Sequence, residues 1–394
     1  MFSTNFVQIL DEEQERRDRC YMDLIHIMRL SDYHYAVQNY ADPSYVGIHT
    51  HKPPRLSYPP PIIPAIQMNT PTPVTKKCVL IDTKIESFED LLHLLDKYEY
   101  CENTEYNIDL KALTQIKPEL LELNRMVGLT EFKNELLNQI LYFVQNLHIG
   151  TNPDFMHTVL SGPPGTGKTE IAITMGRMYS KIGVLKKNVF KKVTRSDLIA
   201  GYLGQTAIKT RKVIDECLGG CLFIDEAYSL ATDYSSDSFS RECIDTLCEA
   251  LSAHKGELMV IIAGYKDELN HTFFKANRGL ESRFIWRFHL DNYSYLEMLK
   301  IFKKKVFDNE WLLNPSDAAL EKWFKTNHGK FAHYGRDMEL LFSYSKVAHG
   351  RRIYGQNVDI KKKLTMDDID SGYKRFVEHS TKDEKKSGIY GLYV

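Results

Sequence analysis

The chain has 394 residues, 43% of them hydrophobic, which suffices for two or three domains with substantial cores. Its 51 Lys and Arg residues nearly balance 52 Asp and Glu residues, so the net charge is −1. This balance argues against a protein that coats nucleic acid or an anionic membrane, since both select excess positive charge. There is no apolar run of the roughly 20 residues that a bilayer span needs, no signal-peptide pattern and no CxxC pair among seven cysteines. These features predict a soluble cytoplasmic protein with free thiols.

The N-terminal part of the sequence divides into three segments. Residues 1–51 are charged and rich in tyrosine. Residues 52–75 contain so many prolines that they predict an extended linker, because proline donates no backbone hydrogen bond and cannot continue a helix. Residues 76–117 contain one convincing helix, which Ser87 can cap and which begins at Phe88. We therefore expect a partly helical N-terminal extension, to which the sequence assigns no function.

The main module is predicted to be an α/β domain at 118–290. Short apolar runs alternate there with helical segments, which is typical of a parallel sheet covered by helices. The predicted strands are Thr158–Leu160, Val189–Val193, Leu222–Ile224, Met259–Ala263 and Phe284–Phe288. Residues 291–378 show only helical patterns and predict a small all-helical domain. Residues 379–394 form a polar tail.

A glycine-rich loop follows the first predicted strand and precedes a helix. It matches GxxxxGK[ST] and consists of Gly162, Pro163, Pro164, Gly165, Thr166, Gly167, Lys168 and Thr169. Glycines let the backbone N–H groups point at phosphate oxygens, and the helix that follows adds its positive dipole end. Lys168 is suited to neutralise the β- and γ-phosphates, and the Thr169 hydroxyl is suited to ligate Mg²⁺. The motif predicts binding of ATP with Mg²⁺.

Two acidic residues end the third predicted strand. Asp225 and Glu226 follow the buried run Cys221–Ile224 at the edge where parallel sheets bind ligands. Asp225 suits the Mg²⁺ shell, directly or through water, and Glu226 suits the base that polarises the attacking water. By contrast, the lysines that flank the second strand are interpreted as a solvated face; they are Lys186, Lys187, Lys191 and Lys192.

Several motifs together resemble one family. The loop Gly162–Thr169 and the run Gly219–Leu230 are typical of AAA+ ATPases. The runs Gly201–Thr210, Val260–Tyr265 and Asn277–Phe284 narrow the resemblance to the CbxX/CfxQ family, which includes a red-type rubisco activase. The resemblance covers about residues 124–378. It implies a P-loop module with a five-stranded parallel sheet, followed by a small helical lid domain.

The resemblance also implies three arginine roles. Arg283 matches the arginine finger, which reaches the γ-phosphate of a neighbouring subunit. Arg278 stands where the family usually has proline, so either arginine is a candidate and Arg283 is preferred. Arg336 matches the second sensor of the lid, although the family usually continues with a further arginine where this chain has Glu339. A finger acting between subunits implies a homo-oligomeric ring, commonly a hexamer.

Other positions match the family more locally. Val127 and Gly128 match the segment that packs near adenine, and Tyr265 stands where a first sensor is expected. Tyr202, Leu203 and Gly204 match the pore loop, in which an exposed aromatic side chain grips an extended peptide. The resemblance thus implies an ATPase that remodels a protein client through a ring pore, and no feature identifies that client.

Two other functions remain open. A nucleic-acid-directed AAA+ ATPase is one, and the near-zero net charge counts against it. The other is an ATP-dependent assembly switch or scaffold whose proline-rich arm recruits partners, and the intact Glu226 counts against it. The abundance of Tyr, Asn, Lys and Ile indicates an AT-rich genome, such as that of a large DNA virus or a protist.

Overall fold

The structure is a computed structural model that describes residues 77–202, 204–231, 237–356 and 360–390, with side chains up to residue 379. All of these residues belong to one compact unit, Val74–Val394. The predicted segment 1–51, the predicted linker 52–75 and the pore-loop residue Leu203 lie outside the described residues.

The described part of the N-terminal extension contains strands as well as helices. Its elements are β1 (Lys77–Val79), α1 (Phe88–Lys97), β2 (Thr104–Tyr106), α2 (Leu110–Gln115) and α3 (Lys117–Asn124). The two strands pair in parallel. Ser87 caps α1 as predicted: its hydroxyl accepts from the Asp90 N–H, and the Asp90 carboxylate accepts from the Ser87 N–H. The domain boundary that we placed at Pro118 falls within α3.

Helix α3 joins the extension to the main module. Apolar side chains of α1, α2 and α3 share one core cluster with the helix that follows and with one face of the sheet. Two ion pairs add to this contact: Glu119, which is buried, pairs with Lys181 at 2.6 Å, and Glu122 pairs with Arg177. Lys181 and Arg177 belong to the helix that begins in the glycine-rich loop, so the extension packs directly on that helix.

The centre of the module is the five-stranded parallel sheet that the sequence predicts. Its strands are β3 Thr158–Ser161, β4 Phe190–Val193, β5 Cys221–Ile224, β6 Met259–Gly264 and β7 Trp286–His289. Their spatial order is β4-β5-β6-β3-β7, and every neighbouring pair is parallel. The strands β5 and β6 are completely buried, which explains their continuous apolar sequence.

Helices cover both faces of the sheet, and short helical turns continue two strand ends. One 3₁₀ turn, Ala227–Leu230, follows β5, and a π-helical turn, Leu269–Phe273, follows β6. The remaining helices are α4 Thr130–Val144, α5 Lys168–Lys181, α6 Arg195–Leu198, α7 Thr206–Glu216, α8 Ser238–Ala253, α9 Lys266–Glu268, α10 Phe274–Ala276 and α11 Arg278–Arg283.

The C-terminal part is the predicted helical domain, with one short parallel strand pair added, β8 (Leu312–Leu313) and β9 (Lys363–Leu364). An aromatic core holds its helices together, with Phe302, Phe324 and Phe342 fully buried or nearly so. The last helix continues to Tyr390, whereas the sequence predicted that it ends near residue 378. The helices are α12 Tyr295–Asp308, α13 Asp317–Asn327, α14 Tyr334–Ile353 and α15 Met366–Tyr390.

Two predictions from composition can be compared with the described residues. Within these residues, none of the helices is both long and apolar enough to span a bilayer. The six described cysteines are free thiols; they are Cys78 and Cys101, which are exposed, and Cys217, Cys221, Cys243 and Cys248, which are buried.

Candidate nucleotide site

The glycine-rich loop lies between the end of β3 and the start of α5. Three of its glycines have positive φ, namely Gly162 (151°), Gly165 (75°) and Gly167 (92°), a region that other residues seldom adopt. A Cβ on Gly162 would stand 2.6 Å from the Leu290 carbonyl oxygen, and one on Gly165 would collide with the His333 carbonyl. The loop therefore needs glycine both for its backbone angles and for the close approach of its neighbours.

The amine of Lys168 points back into the loop. It donates to the carbonyls of Gly162 at 2.8 Å and Pro163 at 2.7 Å. Burial lowers the pKa of this amine to about 8, and the negative charges of Asp225 and Glu226 offset only part of that effect. A half-buried cation held mainly by neutral carbonyls favours an anionic ligand beside it.

The carboxyl end of β5 brings the predicted acidic residues to the same edge of the sheet as the loop. The Thr169 hydroxyl donates to Asp225 Oδ2 at 3.3 Å, so the two predicted Mg²⁺ ligands are in contact. The backbone N–H of Glu226 donates to Asp225 Oδ1 at 3.1 Å. A hydroxyl and a carboxylate are the oxygen donors that Mg²⁺ prefers, so these residues fit the ion.

Glu226 has left-handed backbone angles (φ 52°, ψ 47°), which are uncommon for a residue with a side chain. Its carboxylate is exposed and lines a cavity between the glycine-rich loop, the end of β5 and the helical domain, which we call the cavity above the loop. Arg195 stabilises the chain beyond it by donating to the carbonyl of Ser229 at 2.6 Å and to the carboxylate of Asp237 at 2.9 Å. Left-handed backbone angles strain a residue that carries a side chain. Strain of this kind, held in place by neighbouring hydrogen bonds, is common at functional sites.

Two tyrosines form one wall of this cavity. The rings of Tyr228 and Tyr265 stack with their centroids 5.6 Å apart. Burial, together with the negative charge of Glu226, raises the pKa of Tyr228 to about 12. The ring of Tyr265, our candidate first sensor, lies 5.7 Å from the Lys168 amine. Tyr228 was not singled out from the sequence, although it stands only two residues after Glu226.

Lys192 is the second residue that sequence reasoning missed. Its amine forms an ion pair with Asp225 Oδ2 at 2.6 Å, whereas the sequence suggested a solvated face. The pairing of β4 with β5 places Val193 beside Ile224, so residues just before the end of β4 lie close to Asp225. The signal was therefore the strand order, which a linear motif does not contain.

The helical domain closes the site from the other side. The Gly335 N–H donates to the Gly165 carbonyl at 3.1 Å, and a Cβ on Gly335 would stand 2.7 Å from that oxygen. The next residue, the predicted second sensor Arg336, lines the cavity above the loop together with Lys168 and Glu226. The cavity above the loop has a volume of about 320 Å³. Its lining residues are Pro164, Gly165, Gly167, Lys168, Thr169, Glu170, Asp225, Glu226, Tyr228, Gly264, Tyr265 and Arg336.

A second cavity of about 300 Å³ lies on the other side of the loop. Its walls include Val127, the loop residue Thr166 and the apolar side chains of Met126 and Ile301. Gly128 lies beside it with φ 65°, where a Cβ would collide with the Glu297 carboxylate. Charged residues line the same cavity, so its walls are of mixed polarity; they are Glu170, Lys304, Lys305, Arg336 and Glu339. That Val127 and Gly128 pack near adenine stays a prediction.

The two candidate finger residues lie on α11, and neither lines the cavity above the loop. Arg283 is held within its own chain, because its guanidinium donates to the Ser252 hydroxyl at 2.7 Å and to the Gly279 carbonyl. Arg278 is exposed and has no hydrogen-bond or ion-pair partner among the described residues. Both arginines are therefore separate from the P-loop of their own chain.

The predicted pore-loop tyrosine is exposed. Tyr202 has 74% of its surface accessible, and Gly204 has a φ of 78°, which allows the chain to turn sharply before α7. The Gln205 N–H closes this turn by donating to the Tyr202 carbonyl at 3.3 Å. Tyr202 lies on a different loop from every residue of the nucleotide site.

Comparison with known proteins agrees with this arrangement. Residues 158–288 match the ATPase family associated with various cellular activities (AAA). A putative cfxQ-like protein of Acanthamoeba polyphaga mimivirus is 38% identical over 273 residues, which are 68% of this chain and 67% of that protein. The protein CfxQ of Xanthobacter flavus is 31% identical over 232 residues, covering 56% of this chain and 73% of that protein. CbbX of Cereibacter sphaeroides is 30% identical over 260 residues, covering 63% and 84%.

The chain belongs to the CbxX/CfxQ-type AAA+ ATPases. This confirms the family and the fold that the sequence predicted. A member of this family is a P-loop enzyme that binds nucleotide, and proteins of the wider AAA+ family typically form oligomeric rings.

Proposed function

We propose that this CbxX/CfxQ-type protein hydrolyses ATP and uses the energy to remodel a protein client in the pore of a homo-oligomeric ring. One observation carries the proposal: a single cavity is lined by the loop amine of Lys168, by Thr169 and Asp225, by the carboxylate of Glu226 and by Arg336. These are the cation, the metal ligands, the base and the lid arginine that phosphoryl transfer to water requires.

Each residue has a role in this proposal. The loop N–H groups and Lys168 bind the phosphates, and Thr169 and Asp225 hold Mg²⁺, which would neutralise charge on the phosphate oxygens. Glu226 accepts the proton of the attacking water, for which its exposed carboxylate at the cavity wall is suited. Arg336 approaches the γ-phosphate from the lid. Val127 and Gly128 flank the adenine ring of the nucleotide. In this reading, residues 118–290 are the nucleotide domain and 291–378 the lid.

The position of the arginines of α11 supports the ring. Neither Arg278 nor Arg283 lines the cavity of its own chain, which is expected of a residue that acts on a neighbouring subunit. A finger of this kind is worth about 10³–10⁵ in rate. The exposed Tyr202 would then face the pore and grip an extended client through apolar contact, without reading its sequence.

The test is a comparison of Glu226→Gln with wild type in ATP binding and in phosphate release. The variant should bind ATP normally and lose about 10²–10⁴-fold in turnover, the usual worth of a positioned base. Glu268→Gln, an exposed carboxylate outside the cavity, is the matched control and should keep the wild-type rate. A near-normal rate for Glu226→Gln would place the base elsewhere. Absence of turnover in wild type, with ATP still bound, would favour the assembly switch.

A further inference from the structure

We propose that Lys192 competes with Mg²⁺ for Asp225 and thereby sets how strongly nucleotide binding depends on the metal. The inference rests on the proposed ATP site and adds to it a residue that tunes the metal requirement. Its starting point is the 2.6 Å ion pair between the Lys192 amine and Asp225 Oδ2.

The strand geometry fixes the direction of this side chain. Residues two apart in a strand point to the same face of the sheet, so the side chains of Lys192 and Phe190 lie on one face. The ring of Phe190 packs on Phe223 and beside Gly176 of α5. The Lys192 amine also lies over the Phe223 ring, 5.8 Å from its centroid. Lys192 is thereby directed along the face of α5 toward the start of that helix, where the loop ends.

Both carboxylate oxygens of Asp225 already have partners in the protein. Oδ2 accepts from the Thr169 hydroxyl at 3.3 Å and from Lys192, and Oδ1 accepts from the Glu226 N–H. A divalent ion that is bound by Thr169 and Asp225 must therefore approach the same oxygen as the lysine cation. Two like-charged groups at one oxygen repel each other, so the ion and the ammonium cannot both keep their best positions.

The same reasoning gives Lys192 a second effect. Without Mg²⁺, an ammonium at Asp225 supplies positive charge near the phosphates and supports metal-free nucleotide binding. With Mg²⁺, it opposes the ion. Lys192 therefore reduces the factor by which Mg²⁺ raises the affinity for nucleotide. By thermodynamic linkage, it reduces the effect of nucleotide on the affinity for Mg²⁺ by the same factor.

The adjacent Lys191 provides a matched control. It lies on the opposite face of β4 and pairs with Glu216 of α7. Its side chain is about as exposed as that of Lys192 (37% against 45%). The two lysines share charge, strand and exposure, and they differ in which carboxylate they contact.

The experiment titrates binding of a non-hydrolysable fluorescent ATP analogue to the full chain at a series of free Mg²⁺ concentrations and in EDTA. For Lys192→Met, the half-saturating Mg²⁺ concentration should fall about 30-fold, since a unit charge about 4 Å from a divalent ion weakens its binding by this factor even at the dielectric constant of water. The affinity in EDTA should also weaken severalfold. Lys191→Met and Lys192→Arg should stay within about twofold of wild type in both quantities.

Thermal unfolding of each variant shows that it folds, and Lys192→Gln replaces Lys192→Met if the latter does not. The proposal is overturned if Lys192→Met matches wild type in both quantities, or if it needs more Mg²⁺ rather than less. If wild type fails to bind the analogue at any Mg²⁺ concentration, the nucleotide site itself is refuted. That result is distinct from normal binding with an unchanged metal requirement.

Discussion

Lys168 shows how much the surroundings of one residue add to a motif. Its side chain is half-buried, its amine is held by two backbone carbonyls, and the partial burial lowers the pKa of the amine to about 8. A charged group in this position is stabilised only modestly by the protein alone, because carbonyl dipoles replace water incompletely. Phosphate oxygens would complete its coordination.

We therefore expect Lys168→Ala to abolish tight ATP binding. Charge-assisted hydrogen bonds contribute about 1.5–3 kcal/mol each, so loss of the amine should weaken binding by at least about 100-fold. The measurement is the fluorescence anisotropy of labelled ATP. Lys186→Ala removes an exposed lysine that pairs with Glu257 and should bind as wild type does. Tight binding by Lys168→Ala would contradict the phosphate-loop interpretation.

The sequence indicated the candidate site residues that lie in linear motifs. It missed Lys192, which comes from a neighbouring strand, and Tyr228, which stands two residues after Glu226. Thr169 and Asp225 belong to two motifs, and the structure places them in contact. Lys192 reaches Asp225 because β4 pairs with β5. A solvated lysine and a site lysine look alike until the register of the strands is known.

Among the elements of the fold, the residue immediately before β3 is a buried histidine, His157, that links the sheet to α8. The Val260 N–H donates to His157 Nδ1 at 3.2 Å, and Nε2 lies 3.5 Å from the Leu251 carbonyl. This pattern requires a neutral ring that is protonated on Nε2. Burial, and secondarily the positive charge of Arg283, lower the His157 pKa to about 4.

The stability of the module should therefore fall in mild acid. The folded-state pKa of His157 is about 4, and an unfolded histidine has a pKa near 6.5. Its neutral form is favoured above pH 6.5, and stability is lost as the pH falls from 6.5 toward 4. The expected contribution is about 2 kcal/mol less unfolding free energy at pH 5 than at pH 7.

Urea unfolding of wild type and His157→Gln at both pH values, followed by circular dichroism, tests this expectation. The variant should be less stable at pH 7 because it leaves a packed, hydrogen-bonded site. Its loss of stability between pH 7 and pH 5 should be smaller than that of wild type by about 2 kcal/mol. Equal pH dependence in the two proteins would show that His157 is not the group responsible.

The types of the central elements could be predicted from apolar runs in the sequence. Strands β5 and β6 are completely buried. Their sequences are therefore continuous apolar runs, and these runs predicted the strands. Pro118 suggested a domain start, but it lies in the first turn of α3, where a missing N–H costs nothing. Helix α3 packs on α5 through Glu119 and Glu122, a tertiary contact that local patterns cannot indicate.

For the whole molecule, the arginines of α11 decide whether the site is completed by a neighbouring subunit. We expect Arg283→Ala to abolish turnover while ATP still binds. Mixing this variant with Lys168→Ala, which keeps its finger, should restore part of the activity, because some interfaces then combine an intact loop with an intact arginine. Arg278→Ala, on the same helix, is the control and should remain active alone.

The reverse result, with Arg278→Ala inactive and rescued by mixing, would transfer the role to Arg278. Arg278 is already exposed, whereas Arg283 must first leave Ser252 and Gly279. Failure of both mixtures to recover activity would exclude a finger acting between subunits.

The most direct measurement is ATP turnover per subunit as a function of protein concentration, with the size of the assembly followed by light scattering in ATP. Glu226→Gln serves as the hydrolysis-deficient control that still assembles. We predict that turnover per subunit rises steeply over the concentrations at which rings form. Constant turnover from a monomer would contradict the ring and the shared site.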